Sequence, residues 1–131
     1  MLRGVILVSA ALIAPPVLAQ DSRCDGFATT IEISQCLQGL LAEEDARLNV
    51  AYRGAMAVMK STDAGLPASL TGAEAALRSA QRAWLSFRDT GCAAEGFRYR
   101  GGTAEGLAVA QCLIRQTQTR TGELLDMQTE Y

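Results

Sequence analysis

The chain has no histidine, one lysine (Lys60), one tryptophan (Trp84) and only six other aromatic residues among its 131. Each shortage removes a class of function. Without an imidazole there is no ready general base near neutral pH and no partner to activate a serine or cysteine. Lys60 lies far along the chain from any other chemically suggestive group. Asp89 has no second acid at a spacing that suggests a glycosidase carboxylate pair. No CxxC pair occurs, which argues against a dithiol redox centre and against zinc knuckles. No catalytic residue, metal site or cofactor is therefore expected, and the chain is read as a non-enzyme. Basic residues do not exceed acidic ones: twelve stand against fourteen, a net charge of −2. Nothing in that balance suggests a nucleic-acid partner.

Other absences bear on the fold. β-Branched residues never alternate over a strand length, so no sheet is expected. There is no internal repeat, no low-complexity tract and no apolar run long enough for an ordinary membrane span.

The first residues read as a secretory signal peptide. Arg3 supplies a positive charge, Gly4 to Ala14 is an apolar run, Pro15-Pro16 breaks it, and Val17-Leu18-Ala19 offers small residues for cleavage after Ala19. Residues 1–19 are expected to be removed, leaving 20–131 as one domain. Loss of Arg3 leaves eleven basic and fourteen acidic residues, a net charge of −3. Gln20, not cysteine, follows the cut. The expectation is a periplasmic or secreted bacterial protein with no membrane anchor after cleavage. The four cysteines Cys24, Cys36, Cys92 and Cys112 then imply two disulfides.

Three helical stretches follow. Thr29 and Glu32 form a capping-box pattern before a helix over 30–60. Its stripe is Leu37, Leu41, Leu48, Tyr52, Met56 and Met59. Glu43 and Arg47 read as an i,i+4 pair, and the acidic triplet Glu43-Glu44-Asp45 as a solvated helix face, with a second candidate contact surface as the alternative. Gly65 and Pro67 mark a connection. Thr71 and Glu74 form a second capping-box pattern before a helix over 71–94, with Leu77, Ala80, Trp84, Phe87 and Gly91 on its apolar face. Gly96 and Gly101-Gly102 break it, and Thr103 precedes a third helix over 104–128 striped by Leu107, Ala110, Ile114, Thr117, Thr121, Leu124 and Leu125. The predicted fold is all-α, a small antiparallel three-helix bundle stapled by two disulfides.

The densest stretch is Gln81-Arg-Ala-Trp-Leu-Ser-Phe-Arg-Asp-Thr-Gly-Cys92. Trp84 reads as a core anchor. Arg88 is placed to cover the indole or to reach a carboxylate on another helix such as Asp45. Gln81, Arg88 and Asp89 read as a polar network that sets helix register. Cys pairing stays open at this point. The depth of each residue in an antiparallel bundle slightly suggests Cys24–Cys92 with Cys36–Cys112.

Several fragments together resemble the family of small secreted proteins built on the N-terminal domain of LprI, a mycobacterial lipoprotein described as a lysozyme inhibitor. They are Cys24, Glu32 and Cys36; Asp45-x-x-Leu48-Asn49-x-x-Tyr52; Gln81-x-x-Trp84-x-x-x-Arg88-Asp89-x-x-Cys92; Tyr99-x-Gly101-Gly102-Thr103; Cys112; and Thr117-x-x-Arg120-Thr121-x-x-Leu124. The resemblance runs from about Cys24 to Leu125. It implies a helical, exported, disulfide-stapled protein, and two local bridges, Cys24–Cys36 and Cys92–Cys112. It also implies lysozyme as a possible partner. An adaptor role toward another envelope protein, without lysozyme activity, is the alternative. The candidate contact loop holds Phe97, Arg98, Tyr99 and Arg100, residue types enriched at binding hot spots. The sequence gives no oligomeric state.

Overall fold

In the computed structural model, residues 22–129 are described. The predicted signal segment 1–19 and its cleavage site lie outside them. Three long helices make up the described chain: α1 (Thr30–Ala64), α2 (Ala73–Gly96) and α3 (Ala104–Thr129). Short 3-10 turns at Ser22–Cys24, Ala68–Leu70 and Phe97–Tyr99 punctuate the connections. Among the described residues there is no strand.

α1 starts where its sequence signal places it. The Thr29 hydroxyl accepts from the Glu32 N–H at 3.2 Å, and the Glu32 carboxylate accepts from the Thr29 N–H at 3.0 Å. The Thr29 hydroxyl also donates to the Glu32 carboxylate at 2.8 Å, and that bond first, with the Thr29 N–H second, holds the Glu32 carboxyl below its usual range. The helix runs past residue 60 to Ala64, and Gly65 closes it by donating to the Ser61 and Thr62 carbonyls.

The second capping box does not form. The Thr71 hydroxyl donates to the Ala68 carbonyl instead. The α2 N-terminus is capped from the preceding helix: the Asp63 carboxylate accepts from the N–H groups of Gly72, Ala73 and Glu74 at 2.8, 2.9 and 3.0 Å. A turn tight enough to bring these donors onto one carboxylate puts Gly72 at φ 146°, a conformation suited to glycine. The three N–H donors lower the Asp63 pKa below its ordinary value of 3.8. A group with a lowered folded pKa stabilises fully above its unfolded pKa and loses that contribution as pH falls through the folded value. Asp63→Ala is therefore expected to lower the melting temperature by several degrees at neutral pH, since it strips a helix of its cap. In strong acid the gap between variant and parent should close. Circular-dichroism melts at both pH values check this, and an equal gap in acid would contradict it.

The helices alternate in direction. Asp63 meets Glu74 and Asp45 meets Arg88, so α1 and α2 are antiparallel. Arg88 meets Thr117 and Gln81 meets Arg120, so α2 and α3 are antiparallel too. Glu44 meets Gln118 and the Ala51 carbonyl meets Gln128, so α1 and α3 run parallel, and theirs is the most extensive contact. Gly54 leaves room for the Gln128 carboxamide on α1.

Two apolar clusters form the core. At one end Cys24, Leu37, Leu40 and Ile114 are buried together. At the other, Leu48, Ala51, Ala55, Leu77 and Leu124 are buried, with Tyr52, Met56, Met59 and Trp84 packed against them. Both disulfides are local: Cys24–Cys36 ties the first turn to α1, and Cys92–Cys112 ties α2 to α3. The long-range pairing suggested by bundle depth is not seen, because Cys24 folds back onto the first turns of its own neighbouring helix.

The apolar face expected for α2 is rotated. Phe87 is 63% exposed, and Ala80 and Gly91 are exposed as well. The inward face is Leu77, Gln81, Trp84, Arg88, Cys92 and Gly96, with Trp84 and Arg88 half-buried and the others buried. Cys92 must face Cys112. At 100° per residue Gln81 and Arg88 then fall within about 40° of it, whereas Phe87 falls about 140° away. Gly96 is the last residue of α2, which passes there into the 3-10 turn. A Cβ on it would stand 2.5 Å from the Val109 side chain, so glycine favours this approach of α2 to α3. In α3, Leu125 of the expected stripe is 49% exposed.

Candidate functional site: a polar layer, a groove and a turn

The two apolar clusters are separated by a layer of polar side chains at the middle of the bundle. Glu44 is 3% exposed and Thr117 is fully buried. Oε1 of Glu44 accepts from Arg47 at 2.8 Å, from Arg23 at 3.2 Å and from Gln118 at 3.2 Å. The triplet is thus no solvated face. Glu44 points inward, Asp45 is half-buried, and the expected Glu43–Arg47 pair is replaced: Arg47 turns to Glu44, while Glu43 lies 3.7 Å from Arg23. A buried carboxylate is costly to leave unpaired, and that cost selects the inward partner.

Arg88 is the second hub. Its Nη1 donates to Asp45 at 2.9 Å and to the Thr117 hydroxyl at 3.0 Å, and its Nε donates to Asp89 at 2.9 Å. The guanidinium also lies 5.2 Å from the Trp84 ring centroid. One side chain from α2 thereby joins α1 and α3. Nearby, Arg120 donates to the buried Gln81 carboxamide at 3.0 Å and to Glu123 at 2.7 Å. Among the described residues no buried side-chain polar atom lacks a partner.

Asp45, Leu48, Asn49 and Tyr52 of α1 line one wall of an open groove of about 510 Å³. Gln81 and Arg88 stand on its α2 wall, joined by Arg78, Arg82 and Leu85. Trp84 and Asp89 are not among its lining residues. The structure therefore brings most of the predicted cluster to one surface. It does not bring there Phe97, Arg98, Tyr99 and Arg100, which occupy the α2–α3 connection at the Cys92–Cys112 end.

That connection is a built turn. Phe97 and Tyr99 are 60% and 45% exposed. The Arg100 guanidinium lies 4.6 Å from the Phe97 ring centroid and is 2.6 Å from the Glu105 carboxylate. Glu105 also accepts from the Gly101 N–H at 3.0 Å, and these bonds lower its pKa, the backbone bond most. Gly101 holds φ 80°, the left-handed turn conformation. Arg98 has no ion pair among the described residues.

Sequence reasoning missed Glu44, Gln118, Arg82 and Glu105 as members of these sites. Glu44 was detectable: it lies four residues from both Leu40 and Leu48, in line with Leu37 and Ala51. Arg82 and Glu105 carry no such periodic signal.

Among the described residues no cluster of acidic residues and cysteines is arranged to hold a metal ion, and no helix is long and apolar enough to cross a membrane. What the geometry offers is contact surface. The family model described as Lysozyme inhibitor LprI matches residues 23–124, which takes in α1, α2, α3 as far as Leu124, and both disulfides. The chain belongs to the LprI family. An uncharacterized protein of Rhizobium meliloti (strain 1021) is 37% identical over 107 residues, covering 79% of this chain and 77% of its own length. No solved structure matches. The family is described by inhibition rather than by catalysis, and together with the two disulfides it suggests an extracytoplasmic protein. Within the LprI match the cysteines pair locally, and the turn at Phe97–Tyr99 lies between Cys92 and Cys112.

Proposed function

We propose that this LprI-family chain is an exported bacterial protein that binds a lysozyme and blocks its cleft by contact alone, using the α2–α3 turn. Residues 1–19 serve as a signal peptide, and the mature protein works in the periplasm or outside the cell. The observation that carries the reading is the turn itself: two exposed aromatic rings and two guanidinium groups on a short 3-10 segment and its C-cap residue Arg100. Aromatic and arginine side chains dominate binding hot spots. Holding Arg100 against Phe97 and Glu105, and closing the turn with Cys92–Cys112, reduces the ordering cost of binding. A lysozyme works through two carboxyl groups flanking the scissile bond, and a guanidinium is the natural complement of a carboxylate. Arg98 is the available group, since Arg100 is engaged within the turn.

The test is a cell-wall lysis assay in which the oxidised protein is titrated against an animal-type lysozyme. Saturable inhibition at near-stoichiometric ratios is expected. Arg98→Glu with Tyr99→Ala should weaken it by about tenfold or more, about 1.4 kcal/mol, with an unchanged melting temperature. No inhibition by a folded, disulfide-intact sample would overturn the proposal.

A further inference from the structure

The α1–α2 side carries a second surface, remote in sequence from the turn. α1 and α2 make the slightest contact of the three helix pairs. Long polar side chains meet there and do not fill the space as an apolar core would. Two open depressions result, of about 510 and 580 Å³, and both are lined by Arg78 and Arg82. The first has Leu48, Tyr52 and Leu85 on its walls, while the second runs toward Thr71 and Ser79.

The lining carries three guanidinium groups, Arg78, Arg82 and Arg88, and three carboxylates, Asp45, Asp63 and Glu74, but their pairing leaves one cation over. Asp45 is held by Arg88, and Glu74 by Arg78. Asp63 is occupied by three backbone N–H groups. The carboxylates along the trough thus already have partners. Arg82 is exposed and has no ion pair among the described residues, in a chain whose net charge is −2. From Glu74 to Arg88 the helix rises about 21 Å, which an extended peptide spans with about six residues. An open trough of this length suits a strand of polypeptide better than a small molecule, which would be left mostly in water.

We infer that the α1–α2 trough docks an acidic, partly apolar peptide segment of a partner protein, with a carboxylate forked on Arg82 and an apolar side chain against Tyr52 and Leu85. The fork supplies direction, since a guanidinium binds a carboxylate through two parallel N–H bonds. The apolar wall supplies burial that a lone surface charge lacks. Lysozyme binding at the turn is not required for this site.

The probe is a fluorescein-labelled six-residue peptide of alternating glutamate and leucine, followed by fluorescence polarisation with the oxidised protein. Saturable binding is expected, and replacing the glutamates by glutamines should weaken it by about tenfold or more. Arg82→Glu and Arg82→Gln should do the same, with unchanged melting temperatures, and Leu85→Ser should also weaken binding. Arg98→Glu should leave it intact, so failure of the turn and failure of the trough are distinguishable. No saturable binding, or binding unaffected by Arg82→Glu, would overturn the inference. So would binding that heparin matches and Leu85→Ser leaves unchanged, which would mean a general anion patch.

Discussion

Arg88→Ala should cost about 2–3 kcal/mol of folding stability. The Arg88 side chain is 11% exposed, while that of Asp45 is 43% exposed. Breaking a wholly buried pair costs about 3–5 kcal/mol, and the exposure of Asp45 lowers the figure. The loss has three parts. Asp45 loses its inter-helix partner, the buried Thr117 hydroxyl loses a donor, and the Trp84 ring loses the cation beside it. Lysine is a poor replacement, since one ammonium on a flexible stem does not reproduce the planar fork that spans Asp45, Thr117 and Asp89. Arg88→Met combined with Asp45→Leu should recover most of the loss, because an apolar pair removes the desolvation cost along with the attraction. Urea unfolding followed by the fluorescence of Trp84, the only tryptophan, measures all three variants. A change of less than about 0.5 kcal/mol in Arg88→Ala would show that the layer contributes little to stability.

Removing Cys92–Cys112 by double alanine substitution should destabilise the protein by about 3 kcal/mol and lower its melting temperature by roughly 10–20 °C. The bridge spans 20 residues and encloses the Phe97–Tyr99 turn, so its loss frees that whole connection in the unfolded chain. Cys24–Cys36 spans 12 residues, and its removal should cost only slightly less. The two variants should part company in function. Loss of Cys92–Cys112 loosens the base of the turn and should weaken lysozyme inhibition even at temperatures where the bundle stays folded. Cys24–Cys36 joins the segment before α1 to α1 and encloses no part of the turn, so its loss should leave inhibition nearly unchanged under the same conditions. Equal loss of inhibition in both would remove the turn from the binding site.

Much of the architecture was legible from local chemistry. The Thr29–Glu32 capping box, the connection around Gly65 and Pro67, and the start of α3 after the Gly101-Gly102 turn all depend on neighbours within four or five residues. Such signals survive without knowledge of the rest of the fold. The Asp63 cap shows their range. Thr71 and Glu74 satisfy the capping pattern, yet a carboxylate nine residues upstream takes the donors, because a charged acceptor at a helix N-terminus outcompetes a hydroxyl. Nothing local to residues 71–74 could have indicated it.

The amino-acid sequence alone determined the helical class, the three-helix count, the cysteine inventory and the poverty in catalytic groups, since these follow from periodicity and composition. The family was legible as well, because its motifs are short and specific. Tertiary structure decided the rotation of α2, the inward turn of Glu44 and the groove carrying Arg82. The reason is physical: an apolar count treats Phe87 as core, but a disulfide fixes which face of a helix looks inward. Polar side chains on that face are then retained when the neighbouring helices supply their hydrogen bonds, as Asp45 and Thr117 do for Arg88.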